Sequence, residues 1–132
     1  MKKNGILNSE IAKVADDLGH TDQVCIGDLG LPVPKGVKKI DLALTHGLPS
    51  FQQVLANYLE NILVQKVFLA EEIKVSNPRQ LALIEERLPE NIEICFVSHE
   101  ELKRMNSDVK AVIRTGEATP YSNIILESGV TI

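Results

Sequence analysis

His20 and Asp28 stand at opposite ends of one short apolar segment, in the stretch LGHTDQVCIGDLGLP of residues 18–32. An imidazole and a carboxylate form a pair able to give and take protons near neutral pH. The same residues also suit a chain reversal, because Gly, Asp and Thr gather in turns. His99, Tyr121 and Asn123 complete a set of polar residues expected in loops or at element ends. Each has a plain structural alternative: Asp28 can satisfy backbone donors in its Gly-rich loop, Tyr121 can fill a core gap, and Asn123 can start a strand. His99 has a physical argument of its own, since the unpaired N–H groups of a helix N-terminus disfavour imidazolium and the ring is expected to tend toward its neutral form, able to donate and accept hydrogen bonds. Lys103, four residues on, shares its helical face, where a lysine can equally be a solvated surface residue.

Other chemistries find less support. His20, His46 and His99 are widely spaced, with no HExxH or HxH pattern, so no metal site is expected. GDLGLP lacks the GxGxxG spacing and the lysine of a nucleotide loop. A GxSxG nucleophile motif is absent. Cys25 and Cys95 sit in apolar, strand-like runs without CxxC spacing and read as buried reduced thiols. A reduced pair makes a cytoplasmic location the default.

A formal net charge of −4, with no basic run longer than Lys38-Lys39, argues against nucleic acid or a membrane surface as partner. With aromatics at 4% and no tryptophan, a base-stacking platform is also disfavoured. The opening MKKNGILNSE has no apolar run after its lysines and predicts neither a signal peptide nor an anchor. A small neutral or polar ligand fits this balance better, and no cofactor is implied.

The elements that must position these residues follow from periodicity. Asn8 caps a helix whose apolar positions Ile11, Val14, Ala15 and Leu18 lie on one stripe, with Gly19 just past its end. Val24-Cys25-Ile26 reads as a buried strand ended by Gly27-Asp28, and Lys38 to Leu44 as a second. Ser50 and Gln53 fit a capping box opening an amphipathic helix through Ile62. Val64 to Leu69 is a strand; Asn77 and Pro78 announce a helix to about Leu88. Ile92 to Val97 is a strand running into Ser98 and Glu101, a second capping-box pattern that puts His99 at the first helical position. Val109 to Ile113 and Ile124 to Leu126 are the last strands, separated by RTGEATPYSN.

Residues 1–132 therefore read as a single α/β domain of three layers, a largely parallel central sheet flanked by helices. Ligands on such sheets collect beyond the strand C-terminal ends. Asp28 and His99 lie just past strand ends, whereas His20 precedes a strand and must reach any common site from another strand end or from a neighbouring subunit. Whether Arg114 and Glu117 of RTGE contact a ligand, brace the loop or pair with each other stays open, an internal ion pair being the plain expectation.

Five blocks in the same order, ILNSEIAKVADDLGHTD, GDLGLPVPKGVKKIDLALTHGLPSF, AEEIK, SHEELK and AVIRTGEATPYSNIILESGV, together resemble the D-ribose pyranase family, which is related to the fucose mutarotases. The likeness spans nearly the whole chain. It implies an isomerase that interconverts the pyranose and furanose forms of D-ribose by acid–base ring opening and closure, without metal or cofactor. On that resemblance His20 matches the catalytic proton donor, Asp28, His99, Tyr121 and Asn123 match sugar-contacting positions, and Lys103 a further one. It also implies a homodecamer with sites shared between subunits and a functional link to a ribokinase and a ribose transporter. Two other functions stay open on the sequence: a non-catalytic ribose-binding accessory protein, and a mutarotase of another sugar such as fucose.

Overall fold

The structure is a computed structural model describing residues 1–132. Helix α1 (Ser9–Asp17) is followed by β1 (Gln23–Gly27), β2 (Lys39–Asp41), α2 (Phe51–Asn61), β3 (Val64–Ala70), α3 (Ile73–Ser76), α4 (Pro78–Arg87), β4 (Glu93–Val97), α5 (His99–Met105), β5 (Val112–Arg114) and β6 (Ile124–Ser128). The strands form one sheet in the order β2-β5-β1-β6-β3-β4. All neighbouring pairs are parallel except those of β6, which lies antiparallel between β1 and β3. The largely parallel α/β sheet expected from the alternation of elements is thus present. Periodicity gave no hint of the reversal of β6, because strand direction is set by the connections and not by the local pattern.

The helix ends follow their side-chain chemistry. Asn8 accepts the Ile11 N–H, and Ser50 and Gln53 complete a reciprocal capping box at α2. At α5 Ser98 accepts the Glu101 N–H, but the return half of the expected box is missing: the Glu101 carboxylate is engaged by Arg104, 2.8 Å from its Nη2. Gly19 does not supply a left-handed helix stop. Leu18 turns extended, and the left-handed residue of that turn is Thr21, at φ 72°. Both edge segments are shorter than their apolar patterns. β2 stops at Asp41, whose carboxylate takes the Ala43 N–H and bends the chain away.

Alternation along the strands sorts the core onto two faces. Val24, Ile26, Ile40, Val67, Leu69, Ile113, Ile124 and Leu126 pack against α1, α2 and α4 in the larger cluster. Cys25, Val112 and Ile125 point to the other face, which is covered by Leu102 of α5 and by Leu31. Each fully buried aliphatic side chain contributes roughly 1.5–3 kcal/mol relative to exposure. The second face is covered by one short helix and a loop, so the three layers are unequal. Burial pushes the Cys25 thiol up to about 12, while Cys95 is only half-buried, and both are free.

The loop between β5 and β6 is held by a close approach that only glycine permits. A Cβ on Gly116 would lie 2.6 Å from both the backbone carbon and nitrogen of Leu48. Backbone cannot yield as a flexible side chain would, so Gly116→Ala is expected to cost about 1–3 kcal/mol of stability. Urea denaturation of the two proteins measures this; an unchanged midpoint at unchanged slope would refute it.

Candidate functional site

Five strands share a direction and β6 opposes them, so the C-terminal ends of β1 and β4 and the entry to β6 all open at one end of the sheet. That end carries Asp28 after β1, His99 after β4, and Tyr121 and Asn123 before β6. Asn123 ties the cluster together. Its Oδ1 accepts the Asp28 backbone N–H at 2.9 Å, and its Nδ2 donates to Asp28 Oδ2 at 3.2 Å. Oδ1 of Asp28 accepts the Gly30 N–H at 3.1 Å. The carboxylate is therefore fixed from both sides.

Burial raises the pKa of Asp28, and it outweighs the hydrogen bonds from Gly30, Asn123 and Leu31, which act in the opposite direction. A carboxylate held in this way keeps its position and is more basic than an exposed one. Gly27 makes room for it: a Cβ there would stand 2.6 Å from Leu31 Cδ2 and 3.1 Å from Asn123 Oδ1.

The His99 ring meets Tyr121 edge to face, with centroids 5.1 Å apart and planes at 81°. Its Nδ1 is buried without a hydrogen-bond partner in the chain. A buried polar atom left unpaired carries a cost that a ligand hydroxyl can relieve. Tyr121 is presented in the left-handed region at φ 55°, a conformation uncommon for a bulky residue. The loop that holds it there is pinned by Asn77, whose Nδ2 donates to Pro120 O at 2.8 Å and Thr119 Oγ1 at 3.1 Å while its Oδ1 caps α4. Gln80 adds a buried bond to Ser122 Oγ at 3.0 Å.

Glu72 is a further supporting residue. Its two carboxylate oxygens accept the His99 N–H at 3.1 and 3.2 Å, fixing the start of α5 to the segment that leads into α3. Sequence reading missed it because the contact spans 27 positions and belongs to no spaced motif. Asn77 was visible only as a helix cap; its second use needs the fold.

Two expected members are not drawn into this cluster. Lys103 has its ammonium 2.7 Å from Glu100, and that pairing lowers the Glu100 pKa. His20 lies at the other end of the sheet, in the turn before β1, with its Nε2 3.1 Å from Gln65 Oε1 near the start of β3. The five-residue strand between it and Asp28 rises by about 16 Å. Within one chain His20 and Asp28 cannot act on the same small molecule. The expected ion pair between Arg114 and Glu117 does not form either. Arg114 engages Asp41 at 3.1 Å and the Leu29 carbonyl, while Glu117 accepts the Phe51 N–H at 3.0 Å and the Thr119 hydroxyl at 2.9 Å. The two residues alternate to different surroundings as the chain leaves β5. No group of three or more His, Cys, Asp or Glu side chains is placed to hold a metal ion, and no helix is long and apolar enough to cross a membrane.

The whole architecture has known counterparts. The D-ribose pyranase of Lactococcus lactis subsp. lactis is 75% identical over 132 residues, covering all of both chains, and that of Lactiplantibacillus plantarum is 55% identical over 131 residues, 99% of each. Among solved structures, Bacillus subtilis RbsD complexed with D-ribose superposes with a TM-score of 0.96 at 54% identity over the full length of both chains. The fucose mutarotase of Streptococcus pneumoniae in complex with L-fucose shares the fold, at a TM-score of 0.80 and 19% identity over 99% of this chain and 100% of that one. Residues 1–131 match the model of the RbsD / FucU transport protein family, and the chain belongs to that family.

Proposed function

We propose that this protein is a D-ribose pyranase, an isomerase that speeds exchange between the pyranose and furanose rings of D-ribose. The observation that carries the reading is the clamped, burial-raised carboxylate of Asp28 beside the His99–Tyr121 pair, in a chain that matches D-ribose pyranases from end to end. Ring opening breaks the bond between the anomeric carbon and the ring oxygen. That oxygen takes a proton from the His20 imidazolium, and the anomeric hydroxyl passes its own to the Asp28 carboxylate. Closure from a different hydroxyl runs the transfers backwards, returning a proton to His20 and one from Asp28 to the aldehyde oxygen. Protons and charge balance over the cycle, and no cofactor is needed. His99, Tyr121 and Asn123 hold the remaining hydroxyls; Lys103, one turn beyond His99 on α5, reaches one only by releasing Glu100.

Since one chain keeps His20 and Asp28 apart, the working site joins the His20 end of one copy to the Asp28 end of another, within a closed homo-oligomer that the resemblance makes a decamer. Exposed Leu63 and Val130, at 51% and 40%, flank the His20 end of the sheet and offer apolar area for such a contact. A ribokinase would consume the furanose and a ribose transporter would supply the sugar, placing the protein in the cytoplasm.

The family's description as a transport protein favours one other reading, a carrier that binds ribose without accelerating exchange. Exchange NMR on equilibrated D-ribose separates the two, with L-fucose run beside it. Faster pyranose–furanose exchange with ribose supports the pyranase. Ribose line broadening without faster exchange supports the carrier, and acceleration confined to L-fucose would make it a mutarotase of that sugar.

A further inference from the structure

The assignment of His20 as proton donor leaves open which ring nitrogen works, and the side chains around it answer that. Gln65 on β3 lies between His20 and Glu127 on β6. Its Oε1 is 3.1 Å from His20 Nε2, and its Nε2 donates to Glu127 Oε2 at 2.8 Å. The other Glu127 oxygen accepts from Gln23 Nε2 on β1 at 3.2 Å. Three strands at the same end of the sheet thus contribute one chain of hydrogen bonds.

Its direction is dictated by Glu127. An ionised carboxylate only accepts, so the Gln65 amide must turn its NH2 toward Glu127 and its oxygen toward His20. A flipped amide would set oxygen against carboxylate and lose the bond to Glu127. The His20 nitrogen facing that oxygen must then carry a hydrogen in the neutral and in the charged ring alike. Nε2 is committed to donation, and Nδ1 is the position where a proton can arrive and leave.

We infer that Gln65, oriented by Glu127, is a positioning residue that makes Nδ1 of His20 the atom through which proton transfer to the sugar runs. This rests on the pyranase reading. Gln65 acts through its hydrogen bond to His20, so its loss is expected to fall on turnover and to leave KM unchanged.

The experiment combines two-bond proton–nitrogen NMR of histidine-labelled protein, at a pH high enough to leave the imidazoles neutral, with steady-state exchange kinetics. His20→Ala identifies the His20 signals. The unaltered protein is expected to hold neutral His20 with its proton on Nε2. Gln65→Met, which keeps side-chain length and removes the acceptor, should give a mixture of tautomers and slow turnover roughly 10-fold at unchanged KM, the equivalent of one lost hydrogen bond. A Gln65→Glu, Glu127→Gln double exchange keeps an acceptor facing His20 and a donor behind it, and should restore the Nε2–H form and most of the turnover. A ring protonated on Nδ1 in the unaltered protein, or a Gln65→Met protein with unchanged tautomer and rate, overturns the positioning role while leaving the pyranase reading intact. Absence of acceleration by the unaltered protein fails at the pyranase reading itself and takes the positioning role with it, whatever the tautomer.

Discussion

His20→Ala is expected to slow ribose ring-form exchange by about 10²- to 10⁴-fold, the range that a placed general acid or base contributes, and to leave the fold as it is. The structural half of this expectation comes from exposure. His20 sits in a surface turn and makes one side-chain hydrogen bond, to Gln65, so removing the ring opens no cavity. Surface changes of this kind stay within about 0.5 kcal/mol. A rate loss of several powers of ten at an unchanged melting temperature therefore reports chemistry and not unfolding. The pair of measurements is exchange NMR and thermal denaturation of the same preparation. Full activity in the folded variant would remove His20 from the mechanism.

Asp28→Asn is the second large effect, and it is far from conservative. Both oxygens of the carboxylate face donors, the Gly30 N–H on one side and the Asn123 Nδ2 on the other. Asn123 cannot turn to adapt, because its own Oδ1 is occupied by the Asp28 backbone N–H. An amide at position 28 must present its NH2 to one of these donors. Removing the carboxylate removes the proposed base, worth about 10²- to 10⁴-fold in exchange, and the lost hydrogen bond to a charged group costs about 1.5–3 kcal/mol of stability besides. Kinetics of Asp28→Asn measure it; turnover within two-fold of the unaltered protein would refute it.

The same carboxylate sets a pH dependence. Burial raises its pKa in the folded state, so the folded chain holds this proton more tightly than the unfolded one. Its contribution to stability is accordingly full below the unfolded pKa and is lost as pH rises through the folded one. On the proposed mechanism activity runs the other way, since Asp28 serves as a base only when ionised. Acidification should switch off exchange at a higher pH than an ordinary aspartate would, under conditions where this group favours the folded state.

Much of this molecule is written in local pattern. Asn8, Ser50, Asn77 and Ser98 announce helix starts because a cap needs only a short oxygen-bearing side chain a few residues before the N–H it accepts. Asp28 and His99 could be placed at strand ends for the same reason. The four-residue α3 is too short for a periodic stripe, and it passes unnoticed between β3 and the Asn77 cap. What binds the site together is long-range: Asn123 with Asp28 across 95 positions, Gln65 with His20 across 45. These contacts depend on sheet order, and above all on β6 inserting antiparallel between β1 and β3, which brings Asn123 beside Asp28 and Glu127 beside Gln65. Arg114 illustrates the converse. Proximity in sequence suggested Glu117 as its partner, yet the parallel register of β2 with β5 sets Asp41 opposite Arg114 and supplies the carboxylate.

The central claim is that two copies of this chain combine His20 from one and Asp28 from the other around one ribose, and subunit mixing tests it most directly. His20→Ala and Asp28→Asn proteins, each nearly inactive alone, are unfolded together in equal amounts and allowed to reassemble, and ribose exchange is measured by NMR. With random assortment about one quarter of the sites should regain both groups, and a corresponding share of the exchange activity should return. Mixed assemblies as inactive as either variant alone, with co-assembly verified by mass spectrometry, would contradict the shared site.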